Sequence, residues 1–147
     1  MIWYFIAGLI LMVLDRVTKL WALQACLSKV VLMPCVSCSL AFNRGFGWSL
    51  FHSTDQNIFV IVSAVVFLVL LLLTMHAYYR WLEGALIWPE LLIVTGAISN
   101  FIDRIVYGGV VDFIELSYKN FYWPSFNVAD VLIVCGVTWM ALEVMRT

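Results

Sequence analysis

Nine carboxylates, eight cations and a few amides interrupt an otherwise apolar sequence, and two of the carboxylates stand where they could do chemistry. Asp112 sits in Val110-Val-Asp-Phe-Ile114, with apolar neighbours on both sides and Gly108-Gly109 just before it. Asp130 ends Phe126-Asn-Val-Ala-Asp130. If the two approach within a few ångströms they cannot both ionise readily; one pKa rises and the pair shares a proton. Such a dyad can polarise a water to attack a peptide carbonyl, one aspartate as base and the other as acid. Each carboxylate also has a plainer reading. Asp130 near a helix start, with Asn127 as its cap, is favoured by the helix dipole. Asp112 on that reading is a loop charge. Asp15 and Lys19 are spaced i, i+4, so they share a helical face and can neutralise each other. Asn100, Asp103 and Arg104 are spaced i, i+3, i+4. Both sets read equally as interhelical glue and as support for a site, and the two roles are compatible.

Other chemistries find less support. The chain has no G-x-S-x-G and no His-Glu-x-x-His. His52 and His76 fall on opposite faces of the membrane in the topology below, which disfavours a Ser–His pair or a two-His metal site. Cys35-Val-Ser-Cys38 is a C-x-x-C, a spacing used in redox and metal sites, but one pair falls short of the four ligands zinc usually takes. Cys26 lies on the same side, so a disulfide is open to these residues in an oxidising compartment. Cys135 lies inside the last apolar segment.

The elements that must position these groups are membrane helices. Of 147 residues, 65% are hydrophobic and 12% charged, against about 25% charged in an ordinary soluble domain. Mean hydropathy is +1.03. That composition excludes a disordered chain and leaves too little polar surface for a soluble globule. A net charge of -1, with no Lys/Arg cluster, offers nothing to nucleic acid.

A bilayer core needs roughly 20 helical residues. Four segments meet that length: about 2–23, 57–79, 86–107 and 126–144. Only the second is free of charge. The first lacks the basic start and small-x-small site of a removable signal peptide. The fold class expected is an all-α membrane protein with four spans. Residues 27–55 alternate as Lys29-Val-Val-Leu-Met33 and Ser39-Leu-Ala-Phe-Asn43, which predicts a small extramembrane sheet after helix 1. Four spans put both termini and the short connector on one side, and both long connectors on the other. Asp15, Lys19, Asp103, Arg104 and Asp130 then all converge on the face of the long connectors. Lys and Arg in the loops do not choose which face is outside; with Arg80 and Arg146 on one side and Lys29, Arg44 and Lys119 on the other, they lean toward the long connectors being inside.

Five ordered blocks carry a resemblance over nearly the whole chain: Asp15-Arg-Val-Thr-Lys19, Phe42-Asn-Arg-Gly-Phe-Gly-Trp48, Ser99-Asn-Phe-Ile-Asp-Arg104, Val110-Val-Asp-Phe-Ile114 and Phe126-Asn-Val-Ala-Asp130. The chain resembles the bacterial lipoprotein signal peptidases, the type II signal peptidase family. The resemblance implies a single peptidase domain over 1–147, with four helices and a periplasmic β-cradle at about 27–55. It implies an aspartyl endopeptidase that cleaves diacylglyceryl-modified prolipoproteins before the lipidated cysteine. Asp112 and Asp130 match the catalytic aspartates. Asp15, Lys19, Asn43, Arg44, Asn100, Asp103, Arg104 and Asn127 match supporting positions, and Phe46 and Trp48 stand where a substrate clamp would lie. The partners implied are lipid-modified prolipoproteins and membrane phospholipids, with no obligate protein partner, no metal and no organic cofactor. The location implied is the bacterial inner membrane, multi-pass, with the site near the periplasmic face and the termini cytoplasmic. Ser99 departs from the family pattern, which usually has Gly there; Ser is still small enough for close helix packing. Cys26, Cys35 and Cys38 also lie outside the pattern and make the cradle redox-sensitive as a hypothesis. Two rivals are a thiol-oxidising membrane protein, disfavoured because residues 108–125 contain no cysteine, and a small ion carrier using its intramembrane charges.

Overall fold

The computed structural model describes residues 1–45 and 55–146; Phe46, Trp48 and His52 lie outside the described residues. Its order is α1 (Ile2–Ala25), β1 (Val30–Met33), β2 (Val36–Asn43), α2 (Gln56–Leu82), α3 (Trp88–Tyr107), β3 (Val110–Tyr118), β4 (Phe121–Tyr122) and α4 (Val128–Val144). Four helices and a small sheet after helix 1 are as the sequence leads one to expect. Among the described residues, α2 alone is long and apolar enough to cross a membrane by length and hydropathy. The other three helices carry charge, and that charge is placed with purpose.

Local signals set the helix ends. Asp55 caps α2, accepting from the Asn57 amide at 2.7 Å. Pro89 occupies the first turn of α3, where its missing N–H costs nothing. Gly108 ends α3 with φ 69°, a left-handed conformation a side chain would resist. That turn sends the chain directly into β3, which bears Asp112.

The sheet draws on both long connectors. Its order is β1-β2-β3-β4, with β2 and β3 antiparallel and Ala41 opposite Asp112. The segment holding Asp112 is therefore a strand and not a loop. Val110 to Phe113 are all buried, so the period-2 alternation that would announce a strand is absent there.

α3 is the central helix, packing against α1, α2 and α4. Its seam with α4 is very close. A Cβ at Gly96 would lie 2.5 Å from the Ala129 carbonyl oxygen, and one at Gly136 would lie 2.6 Å from that of Pro89. Small residues let membrane helices approach this way, and tight packing then replaces a hydrophobic driving force absent in lipid. At the far end of the bundle from β3, Arg80 pairs with fully buried Glu90 at 2.5 Å and with Glu143 at 3.5 Å, joining α2, α3 and α4.

A disulfide joins Cys26 to Cys38, leaving Cys35 free. The C-x-x-C pair is thus not the bonded pair. Cys35 stands exposed in the β1–β2 turn, whereas Cys38 is buried against α1. Cys26, Cys38, Ala22 and Phe113 form one buried cluster, flanked by Ile114 and Val128. The bond therefore fastens the end of α1 to the sheet beside both aspartate-bearing elements. Closing a loop of this length stabilises a fold by roughly 3 kcal/mol. Cys38→Ser is expected to lose amide protection in β1 and β2 in hydrogen exchange, while Cys35→Ser keeps it; equal protection in both variants would refute the fastening role.

Candidate functional site

Five elements meet at the sheet end of the bundle. β3 brings Asp112, the first turn of α4 brings Asn127 and Asp130, α3 brings Asn100 and Asp103, and α1 brings Asp15 and Lys19. β2 adds Asn43. All but Asp130 are buried; Asp130 is only partly so.

Asn127 lies between the two carboxylates. Its Nδ2 donates to Asp112 Oδ1 at 2.6 Å. Its Oδ1 accepts from the Asp130 amide at 2.9 Å, and its own amide donates to Asp130 Oδ2 at 3.2 Å. The second and third contacts form a reciprocal capping box at the start of α4. The helix-end reading of Asp130 is therefore correct, and the same contacts bring it to Asp112.

Asp112 is almost wholly removed from solvent. Burial pushes its carboxyl up to about 7, and the nearby Asp130 charge pushes in the same direction. Hydrogen bonds from Asn43 and Asn127, and the Lys19 charge, oppose the shift without cancelling it. At neutral pH Asp112 is poised between acid and carboxylate, as a proton-transfer group should be.

Behind the pair lies a charged network. Lys19 Nζ contacts Asp15 at 2.9 Å, Asp103 at 2.7 Å and Asn100 Oδ1 at 2.8 Å. Asn100 Nδ2 donates to Asp130 Oδ1 at 2.8 Å. Asp15 Oδ1 accepts from the Ala129 amide at 2.8 Å, and Asp103 Oδ2 from the Val111 amide at 3.2 Å. Asp15 and Asp103 thus hold backbone immediately beside Asp130 and Asp112 respectively.

The remaining positions stand further off. Arg104 donates to the carbonyls of Arg44 and Gly45, and its charge is within electrostatic reach of both aspartates. Arg44 turns to Gln56 at 2.6 Å and lies over the Phe59 ring. Two participants were not among the site residues expected from the sequence. Arg16 bridges Asp103 at 2.7 Å and Asp15 at 3.3 Å; the need to pair every charge inside a span could have marked it. Ser99 donates to Asp15 Oδ2 at 2.6 Å, which no spacing announces. An apolar groove of about 340 Å³ runs between α2 and α3, lined by Phe59, Val60, Phe67, Phe101 and Arg104 among others.

Comparison with known proteins adds to this geometry. The family model described as signal peptidase (SPase) II matches residues 7–146. A lipoprotein signal peptidase of Thermodesulfovibrio yellowstonii is 34% identical over 132 residues, 87% of this chain and 84% of that protein. One from Rhodopseudomonas palustris is 37% identical over 142 residues, 90% of this chain and 85% of that protein. A solved bacterial membrane enzyme, 21% identical, superposes with a TM-score of 0.79 over 97% of this chain and 87% of its own. The fold agrees with that enzyme, and the sequence agreement runs almost end to end: the chain belongs to the signal peptidase II family.

Proposed function

We propose that Asp112 and Asp130 are the catalytic pair of this peptidase. As a family member the protein is an inner-membrane, multi-pass aspartic endopeptidase that removes signal peptides from lipid-modified prolipoproteins. The observation that carries the residue assignment is the Asn127 bridge, which couples one sealed carboxylate to one that still meets the outside. We take the whole chain, 1–147, as one peptidase domain.

The asymmetry of the pair divides the labour. Asp112, raised to about 7, donates from its protonated form to the scissile carbonyl oxygen. Asp130, held by Asn100 and Asn127, takes a proton from the attacking water. The gem-diol intermediate then collapses: the proton on Asp130 passes to the leaving amine as the C–N bond breaks, and one hydroxyl returns its proton to Asp112 as the C=O re-forms. The remaining polar residues hold the pair: Asn43, Asn100 and Asn127 by direct hydrogen bonds, and Asp15, Lys19 and Asp103 through them or through backbone. Arg104 contributes its charge, and Arg44 braces the start of α2.

The substrate reaches this centre from lipid. Its signal helix approaches sideways, its acyl chains stay in apolar surroundings such as the α2–α3 groove, and the peptide before the lipidated cysteine unwinds at the pair. The site faces the periplasm and the termini face the cytoplasm. Two features support that orientation: the Cys26–Cys38 disulfide on the site side, since such bonds persist in oxidising compartments, and the resemblance itself.

The test is cleavage of a purified diacylglyceryl prolipoprotein, beside its unlipidated form. Product is expected from the lipidated substrate only, with Asp112→Asn and Asp130→Asn each reducing kcat by at least about 10³-fold; substantial turnover by either folded variant would break the assignment. The rate should also fall as pH rises through about 7, where Asp112 loses its proton; a flat profile from pH 6 to 9 contradicts this. Stability follows the same group. A folded-state pKa above the unfolded value means this group's contribution to stability is fully present below pH 3.8 and is lost as pH rises through about 7. Asp112→Asn should therefore raise Tm at pH 8 relative to wild type and lose that advantage near pH 4, as followed by thermal denaturation.

A further inference from the structure

We propose that Ser99 is a positioning residue for the aspartate pair, acting through Asp15. The proposal rests on the assignment of Asp112 and Asp130 above. Ser99 is fully buried on α3, one residue before Asn100. Its hydroxyl donates to Asp15 Oδ2 at 2.6 Å, and its carbonyl accepts from Arg16 at 3.2 Å.

The contacts of Asp15 give this hydroxyl its reach. Oδ2 accepts from Ser99, from Lys19 at 2.9 Å and from Arg16 at 3.3 Å. Oδ1 accepts from the Ala129 amide at 2.8 Å, one residue before Asp130. The carboxylate thus has a cationic side and a side that fixes the first turn of α4. Ser99 is the neutral donor on the cationic side.

Remove that donor and Oδ2 is left to the two cations alone. Both also serve Asp103, at 2.7 Å each. Lys19 is then drawn toward Asp15 and away from Asn100 Oδ1, now 2.8 Å distant. Asn100 is the residue whose Nδ2 holds Asp130 at 2.8 Å. Two short paths therefore lead from the Ser99 hydroxyl to Asp130: one through Asp15 and the Ala129 amide, one through Lys19 and Asn100. Hydrogen bonds to a charged acceptor in a buried setting are the strong ones, so losing this one is felt along both. Ser99 touches neither carboxylate of the pair, so its effect is on geometry and not on substrate contact.

The experiment measures kcat, KM and Tm for full-length wild type, Ser99→Ala, Ser99→Cys and Ser99→Gly on a diacylglyceryl prolipoprotein in detergent. Ser99→Ala is expected to lower kcat roughly tenfold, about 1.4 kcal/mol of barrier, with KM within about twofold. Loss confined to kcat is the mark of an interaction that shapes the transition state. Ser99→Cys keeps the shape and a weak donor and should retain more activity than Ala. Ser99→Gly opens room for a water to donate in the hydroxyl's place, and it too should exceed Ala. Wild-type kcat in Ser99→Ala overturns the proposal. So does a series in which Ala, Cys and Gly lose activity equally and in step with Tm, because that is a packing effect. Should Ser99→Ala not fold, Ser99→Cys decides: kcat lowered about two- to fivefold at unchanged KM supports the proposal, and wild-type kcat overturns it. Asp130→Asn runs alongside. Turnover by that variant overturns the pair assignment itself, whereas an inactive Asp130→Asn beside a fully active Ser99→Ala overturns only the role of Ser99.

Discussion

An ammonium group is held almost without solvent where α1 meets α3, and three acceptors surround it. Lys19 Nζ has Asp15 at 2.9 Å, Asp103 at 2.7 Å and Asn100 Oδ1 at 2.8 Å. Such a charge is costly to bury, and its attraction to its partners offsets that cost only when every partner is well placed. The helices are therefore not free to slide or rotate about this point. Asn100 is oriented by it too. Its Oδ1 accepts from Lys19 and from Asn127 Nδ2, so its NH₂ end is left to face Asp130. An amide has one acceptor end and one donor end, and Lys19 decides which way this one points.

The same logic passes from Asn100 to Asn127. The Asn127 Nδ2 group lies within reach of Asp112, Asn100 Oδ1 and the Val111 carbonyl, while its Oδ1 is committed to the Asp130 amide. Two amides thus convert the position of one cation into the positions of two carboxylates. Neither aspartate is gripped by a cation directly among these hydrogen bonds. A direct ion pair would hold a carboxylate ionised and inert, whereas neutral donors fix its place and leave its proton free to move. The full charges sit one layer back, where Asp15 and Asp103 also anchor backbone at Ala129 and Val111.

Much of this was legible in the sequence because membrane charges are scarce. Asp15 and Lys19 declare each other through their spacing, and hydropathy alone brings Asp103, Arg104 and Asp130 to one face. The residues missed were missed for physical reasons. Val110 to Phe113 are buried without alternation, so the strand bearing Asp112 reads as a loop next to two glycines. Ser99 in a sequence is merely a small residue; its hydroxyl matters only because α1 places a carboxylate opposite it. Cys35 and Cys38 attract notice by their proximity, yet the bond runs to Cys26 because Cys35 stands exposed in the β1–β2 turn while Cys38, on β2, is buried against α1. Local pattern reports periodicity and spacing. It does not report which distant element the fold lays alongside.

The two glycines of the α3–α4 seam have a consequence for traffic. With backbone filling the space where even a methyl group would stand at Gly96 and Gly136, these helices make a closed wall. Neither a peptide nor a hydrocarbon tail can thread between them. The pair of aspartates sits at one end of that wall, with Asp130 on α4 itself, so any route from lipid must run around it. The broad apolar opening on the α2 side of α3 is where the wall gives way. A tightly packed partition on one flank and an open apolar groove on the other would let a bulky lipidated chain come and go while the catalytic geometry stays fixed.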